Sequence, residues 1–319
     1  MRILFISPKF FGYEILIKES FTKLGYKVDW YPHIHSSSKI IKILYRIFKS
    51  LMQYYYYIFL LDNVDSNQDY AKIVIIKGEG VGERALRFLK SSFPDATLIF
   101  YNWDSFRNNC LSDLQLKMYD RIKSFDSADC KLMKDVKHLP LFYCDEINKY
   151  SVTEHEFLFF FVGTLHSDRY QKIKEIIQNS DKLIANFIYI YYPSRLLFYI
   201  NKFLARFPKE LSISEVKFEG LSRENVIYYL SMSTCVIDFV HPSQSGLTIR
   251  SIEALGMRKK LITDNCAIVK YDFYNDSNIY VLGLSKGNIE EFLLKPYIDL
   301  HESIYAKYEL RNWVMNLLN

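Results

Sequence analysis

The segment "HPSQSGLTIRSIEALGMRKKLITDN", residues 241–265, places a His-Pro pair, two glycines, an Arg and a Glu three apart, and a basic run in one short stretch. "TCVIDFV" before it reads as a strand, "HPSQSGL" as the loop at its carboxyl end, and Thr248 onward as a helix. In open α/β sheets ligands sit beyond the carboxyl ends of strands, where loops and helix N-termini present unpaired N–H groups. Gly246 permits close backbone approach, and the helix start from Leu247 and Thr248 favours a phosphate. Arg250, one turn in, can add charge-assisted bonds to a diphosphate. Glu253, on the same face, can accept hydrogen bonds from a ribose diol. The outline is that of a nucleotide-diphosphate pocket with Glu253 facing solvent. An ordinary surface Arg–Glu pair on an amphipathic helix has the same spacing, and spacing alone does not choose between them.

A second constellation is "FFFVGTLHSDRY". Gly163 and Thr164 close a strand, and Ser167 and Asp168 open a helix with exposed N–H groups. Arg169 either projects toward the same phosphates or lies in solvent on a capped helix start. Metal chemistry has little support, because no Asp-x-Asp occurs and His33-x-His35 is the only close His pair, a spacing common in polar loops. Five scattered cysteines, Cys110, Cys130, Cys144, Cys235 and Cys266, show no paired Cys-x-x-Cys spacing and suit reduced thiols.

The elements that must position these residues alternate. "RILFIS", a helix ending at Gly25 and "KVDWY" form a βαβ opening, with further strands in "AKIVII" and "DATLIFY" around a helix at 81–92. After the polar stretch "CDEINKYSVTEHE" the alternation restarts with "FLFFFVG" and runs to "NIYVLG". Such a pattern predicts parallel sheets covered by helices on both faces. The restart places a boundary near residues 145–155. The expected architecture is therefore α/β, two Rossmann-like domains facing a cleft, spanning 1–150 and 151–319. The last helix, within "LHESIYAKYELRNWVMNLL", is positioned to pack back on the first domain.

Composition agrees. At 319 residues, half hydrophobic and a quarter charged, the chain can build two cores and is not of disordered type. A net charge of +5 is far below a nucleic-acid-binding footprint and only mildly favours anionic partners. "MRILFIS" lacks the pattern of a signal peptide, so the expected location is cytoplasmic. In "KIIKILYRIFKSLMQYYYYIFLL", Lys39, Lys42, Arg46 and Lys49 fall on one helical side, while Ile40, Ile43, Leu44, Ile47, Phe48 and Leu51 fill the other. That segment is either a basic amphipathic helix on the inner, anionic face of a membrane or a core-packed helix with a solvated face.

"SGLTIRSIEALGMRKKLITDN", preceded by "VIDFVHP" and "FEGLSRENVIYYLSMS", resembles the donor-binding half of GT-B glycosyltransferases of the group 1 type. It is similar in particular to CgeB-like and bacterial surface-polysaccharide members, those of lipopolysaccharide or capsule biosynthesis. The resemblance covers residues 157–285; the first half matches in architecture only. It implies that Glu253 holds the ribose of a nucleoside-diphosphate sugar, that Arg250 and the Gly246 loop hold its phosphates, and that Gly163 and Arg169 face the donor. It also implies a glycan or lipid-linked glycan acceptor and no cofactor beyond the sugar nucleotide.

The sequence departs from that pattern at Ser245, where many retaining members carry a second Glu. The polar run Ser243, Gln244 and Ser245 is left to serve sugar hydroxyls. If transfer inverts, a carboxylate or His must take the acceptor proton. Asp104, after a strand, is the preferred base and His241 the contender. Gly12, Glu14 and Glu79 are acceptor-side candidates. A nucleotide-sugar epimerase of the same build and a non-catalytic binding subunit are the rival readings.

Overall fold

The computed structural model describes residues 1–319 apart from 36, 37, 39, 40, 42, 43, 46, 110, 151–154, 166, 167, 179–183 and 241–243. The chain folds as two compact units. Unit 1 comprises Met1–Leu141, Pro242–Gly246 and Leu310–Asn319, and unit 2 comprises Phe142–His241 and Leu247–Glu309. The division differs from a single boundary at 145–155. Tyr143 already belongs to unit 2, because its N–H donates to the Tyr308 carbonyl at 2.9 Å and its ring packs where a side chain on Gly256 would stand.

Unit 1 carries a parallel sheet in the order β2-β1-β3-β4-β5-β6. Its strands are β1 (Arg2–Ser7), β2 (Lys27–Pro32), β3 (Tyr70–Ile76), β4 (Thr97–Asn102), β5 (Arg121–Ser124) and β6 (Val136–His138). The helices between them are α1 (Tyr13–Lys23), α2 (Lys49–Asn63), α3 (Glu83–Ser92), α4 (Asp113–Met118) and α5 (Ser127–Leu132). β1, β3 and β4 are apolar runs without alternation because both sheet faces are covered. On one face Leu4, Ile73, Ile75 and Phe100 meet Tyr56 and Leu60 of α2 and Leu86 and Leu89 of α3. Burial of each such side chain contributes about 1.5–3 kcal/mol.

The C-terminal helix, Leu310–Leu318, belongs to this unit. Trp313 sits edge-on to Tyr101 of β4, with centroids 4.9 Å apart. The helix's last carbonyls are capped by cations from the sheet: Lys72 and Arg121 donate to Leu318 O, and Lys123 donates to Asn316 O.

Unit 2 repeats the design in the order β12-β11-β10-β7-β8-β9. Its strands are β7 (Phe157–Thr164), β8 (Ala185–Tyr191), β9 (Val216–Lys217), β10 (Ser233–Asp238), β11 (Lys260–Thr263) and β12 (Ile279–Val281). Its helices are α6 (Arg169–Gln178), α7 (Arg195–Phe203), α8 (Arg223–Ser231), α9 (Ile249–Gly256), α10 (Ile289–Leu294) and α11 (Glu302–Lys307). The end of the chain, predicted as one helix, is two: α11 stops before Tyr308 and the C-terminal helix starts at Leu310. Among the described residues no helix is long and apolar enough to cross a membrane.

In each sheet the first strand has its successor on one side and a later strand on the other: β1 lies between β2 and β3, and β7 between β8 and β10. These are the topological switch points, where helices leave on opposite faces and a crevice opens at the carboxyl ends.

Candidate functional site

At the unit 2 switch point β7 ends in Thr164 and β10 in Asp238. Arg169, first residue of α6, donates from Nη2 to the Phe239 carbonyl at 2.7 Å and from Nη1 to the Thr164 carbonyl at 3.4 Å. Its guanidinium therefore joins the ends of both strands. Burial lowers its pKa, and its buried Nε bonds to nothing among the described residues. From the other side Arg250 lies over the Phe160 ring at 5.4 Å, and its Nε is likewise buried and unpartnered among the described residues.

Both arginines act electrostatically on Asp238. The Asp238 carboxylate accepts from Thr248 Oγ1 and Ser251 Oγ, both at 2.6 Å, and so fixes the first turn of α9 to the end of β10. Burial raises the Asp238 pKa, against the pull of the two arginines and the two hydroxyl donors. Asp238 was missed in the sequence, where one acidic residue inside the apolar run "TCVIDFV" was the available signal.

Glu253 is not solvent-facing. It is 1% exposed, with Oε1 3.1 Å from Arg223 Nη1 and Oε2 paired with Arg250 Nη1. Arg223 also pairs with Glu146 through Nε at 3.1 Å. The carboxylate thus holds two guanidinium groups in place, and the spacing read as a ribose contact is a buried ion-pair network. No local sequence signal marks Arg223 or Glu146 as its members.

The helix start is also less open than its sequence suggests. Thr248 is the N-cap, and its Oγ1 accepts from the Arg250 and Ser251 N–H groups at 3.1 and 3.3 Å. Leu247 is core. Gly246 does permit a close approach, but the neighbour is the Phe125 ring, 2.4 Å from where a Cβ would stand. Gly163 likewise stands against its own neighbour Phe161, at 2.7 Å, and Thr164 is exposed at the strand end.

Gln244 and Ser245 group with unit 1 and are engaged there rather than free for sugar hydroxyls. Gln244 Nε2 donates to Asp104 Oδ1 at 2.6 Å, and the Ser245 N–H and hydroxyl both donate to Asp126. His241 and Ser243 lie outside the described residues.

At the unit 1 switch point a cavity of about 840 Å³ opens beyond β1 and β3. Its walls include Lys9, Trp30, His35, Lys77, Glu79 and Asp104. Asp104 follows β4 by two residues. Its Oδ1 accepts from the Ser105 N–H, Asn108 Nδ2 and Gln244 Nε2, whereas Oδ2 lies 3.8 Å from Lys77 Nζ. Glu79 pairs with Lys77 at 2.9 Å. His35 meets the Tyr45 hydroxyl at 3.3 Å, and burial lowers its pKa.

Two acceptor-side candidates serve the backbone instead. Gly12 adopts φ 79° at the N-cap of α1, a left-handed conformation that suits glycine. Glu14 is buried and accepts the Phe10 N–H at 3.0 Å, so its carboxylate fixes the loop after β1. Of the basic segment 39–51, residues 39, 40, 42, 43 and 46 lie outside the described residues. Leu44 packs inward, while Ile47, Phe48 and Leu51 are exposed.

No protein-family model matches the chain, and no curated protein matches it. Among solved structures it is similar to the catalytic domain of starch synthase IV from Arabidopsis thaliana, bound to ADP and acarbose. The TM-score is 0.54 at 8% identity, and the match covers 99% of this chain and 95% of that one. The chain has the GT-B fold. Two parallel six-stranded sheets with interleaved helices are the GT-B framework, and the likeness over nearly the whole of both chains is one of fold.

Proposed function

We propose that the chain is a glycosyltransferase that moves a sugar from a nucleoside-diphosphate donor to a glycan or lipid-linked glycan. The observation that carries the reading is the pair Arg169 and Arg250 at the unit 2 switch point, each with a buried Nε that has no partner among the described residues. Fixed cations at that place suit a diphosphate. They count most as the glycosidic bond breaks and negative charge grows on the leaving group. The ADP bound by the starch synthase is consistent with a donor of this class.

In this reading Arg169 and Arg250 hold the phosphates, with Gly163 and Thr164 at the strand end beside them. Glu253 positions Arg250, and contact with a ribose requires its carboxylate to exchange an arginine for the diol. The unit 1 cavity takes the acceptor, where Asp104 Oδ2 is the carboxylate oxygen placed to accept a hydroxyl proton, His241 being the other base. Neither metal nor redox cofactor enters these steps. The exposed Ile47, Phe48 and Leu51 beside Lys49 favour a lipid-linked acceptor at a membrane face, and with the CgeB-like resemblance they favour surface-polysaccharide synthesis.

The test is incubation with UDP-, GDP-, dTDP-, ADP- and CMP-sugars, with and without lipid-linked glycans, following nucleotide release and product mass. Acceptor-dependent release supports transfer. Conversion to an epimer without acceptor identifies an epimerase instead, and no turnover with no nucleotide binding identifies a binding subunit.

A further inference from the structure

Helix α7 is built inside out. Phe198 is fully buried, stacked on Phe207 with centroids 5.5 Å apart, and anchors the helix to unit 2. The polar residues also face the body: Asn201 Nδ2 donates to the Tyr192 hydroxyl at 2.8 Å and Lys202 Nζ to the Leu211 carbonyl at 2.5 Å. Leu196, Leu197, Tyr199, Ile200, Phe203 and Leu204 are exposed, Leu196 at 70% and Phe203 at 90%. At 3.6 residues per turn they cover an arc of about 160° opposite Phe198. A helix packed on a domain normally presents that arc to the core. A contiguous exposed apolar patch of this kind marks an interaction surface.

Charge selects the occupant. Residues 195–210 contain Arg195, Lys202, Arg206 and Lys209 against one acid, Glu210. A second copy of the chain would bring the same net positive charge onto the same face in a twofold pairing. An anionic lipid surface complements both features, taking the aliphatic and aromatic side chains at the acyl boundary and the basic rim among the headgroups. We infer that α7 is a membrane-docking helix by which unit 2 lies on an anionic bilayer. The inference rests on unit 2 alone, is separate from residues 39–51, and needs no nucleotide sugar for its test.

The experiment is co-sedimentation of the full chain with vesicles of equimolar phosphatidylcholine and phosphatidylglycerol, and with phosphatidylcholine alone. Wild-type protein is expected to bind the anionic vesicles and to bind them less at high salt, because the Debye length shortens. The double variant Leu196→Ser/Phe203→Ser should bind about tenfold or more weakly, since the two most exposed apolar side chains of α7 no longer enter the acyl boundary. It should keep the wild-type melting temperature, because both side chains are solvent-facing. Arg206→Gln/Lys209→Gln should lose the preference for anionic lipid. Equal vesicle binding by wild type and the Leu196/Phe203 variant would overturn the inference, as would absence of wild-type binding. A wild-type dimer that this variant turns into monomer, without vesicle binding, would assign the face to a second copy instead.

Discussion

Replacing Glu253 by alanine removes the shared counter-charge of two arginines. Glu253 is 1% exposed, and the side chains of Arg223 and Arg250 are only 13% and 15% exposed. Arg223 keeps Glu146, but Arg250 is left, among the described residues, with the face of Phe160 and the electrostatic pull of Asp238, with no ion pair. Taking one partner from a buried ion pair costs about 3–5 kcal/mol, because the remaining charge is desolvated without compensation. At about 2–4 °C per kcal/mol for a unit of this size, the melting temperature should fall by roughly 6–20 °C. Thermal and urea denaturation of Glu253→Ala measure this directly. Glu253→Gln, which keeps the shape and an accepting oxygen, should fall between alanine and wild type. Arg250→Met combined with Glu253→Ala should cost less than the sum of the two changes, with a coupling of about 0.5–3 kcal/mol. A Glu253→Ala protein melting with wild type would refute the buried network and restore a solvent-facing, ligand-only role.

Arg250→Ala should lower transfer turnover more than donor affinity, as steady-state kinetics against binding will read, and normal turnover would remove Arg250 from the mechanism. Gly246→Ala forces a methyl to within 2.4 Å of the Phe125 ring and should destabilise by about 1–3 kcal/mol, with Phe125→Leu in the same chain recovering part; unchanged urea unfolding would contradict this. Burial, reinforced by the charges of Lys137, Arg121 and Lys72, pushes the Lys123 pKa down to about 8. Unfolded lysine titrates near about 10.4, so between those values the unfolded chain holds a proton that the folded chain lacks, and stability rises with pH. Relative to Lys123→Met, wild type should therefore gain about 3 kcal/mol from pH 7.5 to 10.5; a pH-independent difference would contradict the depressed pKa.

The apolar strands and their alternation with helices were legible because β1, β3, β4, β7 and β10 are buried on both faces and leave uninterrupted hydrophobic runs. β5, "RIKS", was not: its Arg121 and Lys123 lie on one face to meet the C-terminal helix's carbonyls, a demand set almost two hundred residues away. The site followed the same division. Arg169 and Arg250 stood out by their place after strands. The partners that decide what Glu253 does, Arg223 and Glu146, are joined to it by folding alone. Gly246 was read as a close-approach position for a phosphate, whereas the group that stands against it is the ring of Phe125, which no local pattern links to it.

The central claim, that the unit 2 switch point holds a nucleoside diphosphate, is tested most directly by calorimetric titration. UDP, GDP, dTDP and ADP are titrated into wild-type protein and into Arg169→Met. At least one diphosphate should bind the wild type, and loss of a charged hydrogen-bond donor should weaken it about ten- to a hundredfold in Arg169→Met. Binding of none of the four to wild type, or equal affinity in the variant, would contradict the account.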